Sequence, residues 1–237
     1  MRNLIFLFLL ISSFYVSAQK DTTIQLTFVA VYNIPQKSTQ PIHLQDFAFY
    51  SNDKDSIEIR TLKFYISGIE LYNKGASVWK EANSYHLIDA SDEKTLSIPL
   101  SFPTPLDYTI LSFNLGIDSA TNTIGVQGGD LDPMRGMYWT WQSGYINFKL
   151  EGSSPLCNTR HHAFEFHIGG YHHPYNSLQR ISLNVSKDFN TVAYIEIGKL
   201  LSVINLTKTN QIMTPGKEAV WIAEQVKSCF YSQADIK

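Results

Sequence analysis

From Ile24 onward the apolar side chains come in short runs at every second position, and each run ends at a cluster of turn-forming residues. Ile24, Leu26 and Phe28 share one parity, with Gln25 and Thr27 between them. A period of two marks an extended strand with one buried face. The same pattern recurs from Phe47 to Tyr50, Glu58 to Leu71, Tyr85 to Ile88, Ser97 to Phe102 and Tyr108 to Leu115. It returns from Met137 to Glu151, Ala163 to Ile168, Arg180 to Val185 and Thr191 to Ile197. Stretches such as Asn33 to Gln40, Ser51 to Asp55, Asn73-Lys74-Gly75 and Pro103-Thr104-Pro105 separate them. Many short strands with little helical pattern predict an all-β domain, two sheets packed as a sandwich.

Two of the long runs change parity, which a regular strand cannot do without an extra residue. Leu62, Phe64 and Ile66 share a face, but beyond Ser67-Gly68 the apolar residues are Ile69 and Leu71. Met137, Trp139 and Trp141 share a face, but beyond Ser143-Gly144 they are Ile146, Phe148 and Leu150. A bulge at Gly68 and another at Gly144 are the economical readings. The spacing of Ala219, Ile222, Ala223, Val226, Cys229 and Phe230 predicts a C-terminal helix over Thr214 to Phe230, with Thr214 as N-cap and Pro215 at its first position. Lys199 to Asn205 is a second, short helical candidate. Asp118 to Gly136 reads as the longest loop, polar and with little to bury.

The N-terminus sets the compartment. Arg2, the apolar run Leu4 to Leu10 and the small residues Val16-Ser17-Ala18 form a secretory leader cleaved after Ala18. The apolar run is shorter than the roughly 20 residues of a membrane span. Residues 19–237 are then one domain, periplasmic or secreted, with no stable membrane insertion. The chain carries 19 Lys and Arg against 21 Asp and Glu without a basic cluster, which disfavours nucleic acid as a partner. In an oxidising compartment Cys157 and Cys229 are expected to pair, with two separate buried thiols as the alternative. The spacing leaves the oligomeric state open.

Histidine is the residue most suggestive of chemistry. Five of the seven lie close together: His161, His162, His167, His172 and His173. Imidazole is the commonest protein ligand for metals and suits copper and zinc alike. On an extended segment His161, Glu165 and His167 share a face, with Glu165 placed to orient the His167 ring. His161 and His167 would stand about 20 Å apart at ~3.3 Å per residue, so they do not share an ion unless the chain turns. His172-His173-Pro174 follows Gly169-Gly170 on a loop that can fold back over the strand. The spacing is not that of a zinc protease. Trp139 and Trp141 form the second constellation; packed aromatic core is the plainer reading, since an indole nitrogen donates but does not ligate. Asp130 and Asp132 are a weak calcium pair. Asn184-Val185-Ser186 and Asn205-Leu206-Thr207 match the N-glycosylation pattern. No nucleophile elbow, phosphate cradle or paired-carboxylate set stands out, so a non-enzymatic role is expected.

The order of several segments resembles one family. These are Leu62-Lys63-Phe64-Tyr65-Ile66-Ser67, Tyr85-His86-Leu87-Ile88-Asp89, Leu115-Gly116-Ile117-Asp118, Met137 to Tyr145, Phe166-His167-Ile168-Gly169 and Met213-Thr214-Pro215-Gly216. Together they resemble the MbnP-like copper-binding family, named for a periplasmic protein of methanobactin operons. Trp139-Thr140-Trp141-Gln142-Ser143-Gly144-Tyr145 is the most specific block. The resemblance implies an exported β-sandwich in which a tryptophan is oxidised to kynurenine by a partner di-haem enzyme of the MauG type. Copper is then held by that residue and by histidines. Carried over, Trp139 is the first choice for oxidation and Trp141 the second, with His167 the leading ligand and His161, His162, His172 and His173 supporting it. One departure stands out: where some relatives place a histidine two residues after the modified tryptophan, this chain has Trp141. The rival expectation is a metal-free module that docks a glycan or an envelope protein through exposed aromatic side chains.

Overall fold

The computed structural model describes residues 20–33, 39–44, 47–50, 55–142, 144–186 and 190–236. The expected leader and its cleavage point lie outside these residues. Fifteen strands and three short helices follow one another in the described chain. The strands are β1 (Asp21–Asn33), β2 (Thr39–Pro41), β3 (Phe47–Tyr50), β4 (Asp55–Asn73), β5 (Ala76–Lys80), β6 (Tyr85–Asp89), β7 (Ser97–Pro103) and β8 (Ile110–Leu115). They continue with β9 (Tyr138–Trp139), β10 (Gly144–Ser153), β11 (Ala163–Gly169), β12 (Gln179–Asn184), β13 (Asn190–Glu196), β14 (Gln211–Ile212) and β15 (Phe230–Ser232). The helices are α1 (Ser119–Ile124), α2 (Ile197–Val203) and α3 (Lys217–Lys227).

The strands form two sheets, as an all-β sandwich requires. The smaller runs β15-β13-β1-β2, with β7 also on β1. The larger runs β12-β8-β4-β10-β11-β14, with β3, β5 and β6 on β4 and β9 on β10. Their facing sides make one core. Phe28 of β1 meets Phe64 of β4 and Phe113 of β8 edge to face, with ring centroids 5.8 and 5.6 Å apart. Phe230 closes the group against the same two rings at 5.9 and 5.7 Å. Each such pair adds about 0.5–1.5 kcal/mol beyond the area it buries.

The bulge at Gly68 is present. The β4–β8 register shifts between Ser67 and Glu70, and Gly68 has φ of +57°, a conformation that costs a side chain. Leu62, Phe64, Ile66, Ile69 and Leu71 are all buried as a result. Arg180 holds the bulge by donating to the Gly68 carbonyl at 2.7 Å and to Glu70 at 3.0 Å.

The second parity change has a different cause. Met137 to Glu151 is not one strand: the chain folds back, and β9 pairs with the start of β10, Trp139 opposite Gly144 and Tyr138 opposite Tyr145. The irregularity in β10 lies further on, between Ile146 and Phe148. Trp139 and Trp141 therefore do not share a strand face. Tyr145, Ile146, Met137 and Trp139 join Tyr65, Leu87, Ile117 and Leu131 in a second, smaller core. Tyr65 lies between Phe64 and Ile66 on β4, so alternation puts this core on the outer face of the larger sheet.

The segment from Asp118 to Gly136 covers that outer core and is better anchored than its composition suggests. Asp118 caps α1 by accepting from the Thr121 amide at 2.9 Å. Asn122 is buried and accepts from the Tyr145 amide at 2.9 Å. Tyr65 donates its hydroxyl to the Asp130 carbonyl at 2.9 Å, and Tyr145 donates to the Leu131 carbonyl at 3.1 Å.

Two further expectations need correction. The C-terminal helix is shorter, Lys217–Lys227 with Gly216 before it, so Thr214 is not its cap and Pro215 lies outside. Its inner face is the expected one, Ala219, Ile222, Ala223 and Val226. Phe230 leaves the helix because it pairs with Ile195 in β15 and completes the four-ring cluster. Cys157 and Cys229 are not bridged; both are buried free thiols. Cys229 Sγ instead lies 3.2 Å from the Gln225 carbonyl, one helical turn back. Among the described residues no helix is long and apolar enough to cross a membrane.

Candidate functional site

Trp139 reaches its position through the β9–β10 hairpin and is 5% exposed. The Cζ3–Cη2 edge of its six-membered ring lies against Gly169 of β11. A Cβ at Gly169 would stand 2.7 Å from Trp139 Cζ3 and 2.7 Å from the Tyr145 carbonyl oxygen. Any other residue there would lift the indole out. The Trp139 Nε1–H is buried and finds no acceptor among the described residues. An unmet buried donor costs about 1–3 kcal/mol, which makes it a site of interest. Trp141, in the turn, is 62% exposed, and its ring centroid lies 5.8 Å from that of Trp139 at an interplanar angle of 45°.

The loop after β11 brings histidines to the same place. Gly170 has φ of +120° and turns the chain, and a Cβ there would strike the Tyr175 carbonyl at 2.3 Å. Ser177 ties the loop ends by donating its amide to the Gly170 carbonyl at 3.0 Å. Asn147 donates to Ser177 Oγ at 2.9 Å, and Ser119 donates to the Tyr171 carbonyl at 2.7 Å. The folded-back loop leaves a crevice of about 110 Å³, lined by Trp139, Gln142, Tyr171, His172, His173 and Tyr175 among others. Its size admits an ion with some water. The Tyr171 and His172 rings stand 4.0 Å apart by centroid.

His167, the leading ligand candidate, is not among the side chains that line this crevice. It is buried, two residues before Gly169 on the same face of β11, about 7 Å along the strand. Its Nε2 donates to Glu151 Oε1 at 2.7 Å, across to β10. A carboxylate only accepts, so the ring donates from Nε2 in this pair. Glu151 also faces Lys149 at 3.3 Å. The hydrogen bond from His167 is the main cause that holds the Glu151 carboxyl down at about 2, against partial burial. Glu165, expected beside His167, accepts instead from Gln211 at 2.8 Å.

His161 and His162 are not brought to the crevice. Both lie exposed in a turn before β11 with φ of +58° and +54°. His162 Nδ1 donates to the Cys157 carbonyl at 3.0 Å. They stand about 20 Å from Gly169, at the far end of the strand. Asp130 and Asp132 turn their carboxylates to backbone amides, Leu87 at 3.0 Å and Met134 at 2.8 Å. No three His, Cys, Asp or Glu side chains converge among the described residues. Tyr171, Tyr175 and Glu151 were not apparent as site residues in the sequence. The first two flank the His172-His173 pair, a usable signal; Glu151 emerges only from the β10–β11 register.

The fold and this arrangement can be set beside known proteins. The MbnP family matches over residues 21–214. This chain belongs to the MbnP family. Among solved structures, MbnP from Methylosinus trichosporium aligns with a TM-score of 0.63 at 13% identity, over 85% of this chain and 88% of that one. At that identity the likeness is one of fold. No curated protein matches the chain. Within the MbnP domain the Trp139 crevice belongs to the outer core, so its aromatic wall forms without any help from the space between the sheets.

Proposed function

We infer that this MbnP-family chain is an extracytoplasmic copper-binding protein whose site is the Trp139 crevice. The observation that carries the reading is a buried indole N–H without an acceptor, in the wall of a crevice also lined by His172 and His173. As it stands the indole offers copper no lone pair. Oxidation across its C2–C3 bond by a partner di-haem enzyme, using peroxide as oxidant, inserts two oxygen atoms. Hydrolysis then releases the formyl carbon as formate and leaves kynurenine, with an aromatic amine and a ketone. Those two groups supply the donors the crevice lacks, and the imidazoles of His172 and His173 complete a nitrogen-rich set suited to copper. His167, outside the crevice lining and held at Nε2 by Glu151, has the carboxylate–imidazole arrangement common around metals. The leader-like N-terminus supports export.

The test uses protein purified from its native host. About one copper per chain retained through dialysis, with a kynurenine mass shift on the peptide carrying Trp139, is expected. Unmodified tryptophans without copper would overturn the reading. The variant pair His172→Ala and His173→Ala is expected to weaken copper retention by roughly 10–100-fold while the fold persists.

A metal-free docking module is the second reading, and the exposure of Trp141 is the observation in its favour. Isothermal titration with envelope glycans separates the two: heat that disappears in Trp141→Ala, in protein free of copper, supports docking.

A further inference from the structure

The proposed oxidation poses a problem of access. Trp139 is 5% exposed, belongs to the second core and has the edge of its ring against Gly169, so a partner protein reaches little of it directly. Trp141 is 62% exposed at the tip of the same hairpin, and its ring stands 5.8 Å from that of Trp139 by centroid. We propose that Trp141 is the port through which one-electron oxidising equivalents reach Trp139. This rests on the reading that Trp139 is oxidised.

The physical argument is one of distance and order. Electron tunnelling falls off exponentially with the gap between ring edges, and two aromatic rings in this range are at near contact. A one-electron oxidant at the surface, such as a high-potential haem protein, takes an electron from the Trp141 indole. One electron then passes from Trp139 to Trp141. Trp141 is restored, Trp139 carries the radical cation, and no bond is made or broken in the step. The charge now stands in the wall of a crevice that His172 and His173 also line. The hairpin holds the two rings in a defined geometry, because Trp139 is pinned in β9 opposite Gly144 and only the turn separates Trp141 from it. This gives the exposed Trp141 a role that packing does not: it contributes nothing to either core.

The experiment needs neither copper nor the partner, so its outcome is independent of whether the metal binds. The full chain is photo-oxidised with a ruthenium tris-bipyridine flash-quench system, and oxidation at Trp139 and Trp141 is mapped by peptide mass spectrometry. Oxidation of the buried Trp139 is expected in the wild type. In Trp141→Phe its yield falls by roughly tenfold or more. Trp141→Tyr, which keeps an oxidisable ring at the same place, recovers part of it. Near-ultraviolet circular dichroism confirms that Trp139 stays packed in each variant. An unchanged Trp139 yield in Trp141→Phe, or wild-type oxidation confined to Trp141, overturns the proposal.

Discussion

His167 Nε2 and Glu151 Oε1 stand 2.7 Å apart, joining β11 to β10. The pair is diagonal in register: His167 lies opposite Lys149, and Glu151 opposite Glu165. It fixes which ring nitrogen of His167 faces away from the strand, and it gives the sheet a sensitivity to acid.

The Glu151 carboxyl is held at about 2, below its ordinary 4.5, first by the His167 hydrogen bond and further by Thr61 and Lys149. A depressed carboxylate stabilises the fold fully above pH 4.5 and loses that contribution as pH falls toward 2, where the unfolded chain binds the extra proton. The contribution is roughly 1–3 kcal/mol, allowing for partial solvent screening. Urea unfolding from pH 6 down to pH 3 should show this slope, and Glu151→Gln should flatten it.

Gly169→Ala should displace the Trp139 ring, since the new methyl would overlap both the indole and the Tyr145 carbonyl. Overpacking of this kind costs about 1–3 kcal/mol. Acrylamide quenching of tryptophan fluorescence should rise in step, because the one buried member of the Trp139–Trp141 pair becomes accessible.

Trp139→Phe separates stability from chemistry. The smaller ring leaves a void, but it also removes a donor with no acceptor. The two effects oppose, so the net loss by denaturant titration should stay within roughly 2 kcal/mol. Copper retention by host-derived protein should be abolished.

The two cysteines should behave as protected thiols. Burial pushes the Cys229 thiol up to about 11 and raises Cys157 as well. A thiol reagent should react slowly with the native chain and with two groups per chain in denaturant. Dithiothreitol should leave the thermal midpoint unchanged.

Arg180→Met should cost about 2–4 kcal/mol. It withdraws one partner from the buried Glu70 and frees the Gly68 carbonyl at the bulge. Glu70 keeps Lys80 at 3.0 Å, so the fold should persist with a lower unfolding midpoint.

The sequence by itself determined the sandwich, because burying one face of a strand imposes a period of two on apolar residues, and that period is local. It determined the Gly68 bulge for the same reason: a face cannot switch within β4 unless one residue is spared from the ladder. It also marked Trp139, the histidine-rich segment and the Gly169-Gly170 turn. Only the tertiary structure decided that the parity change near Gly144 comes from a hairpin and an outer core, since a bulge and a turn leave the same local pattern. Only it decided that His172 and His173 meet Trp139 while His161 and His162 are carried to the other end of β11, and that Glu151 rather than Glu165 holds His167. Those outcomes depend on register between strands and on where a loop packs. Both are set by contacts between residues distant in the chain, and no local spacing encodes them.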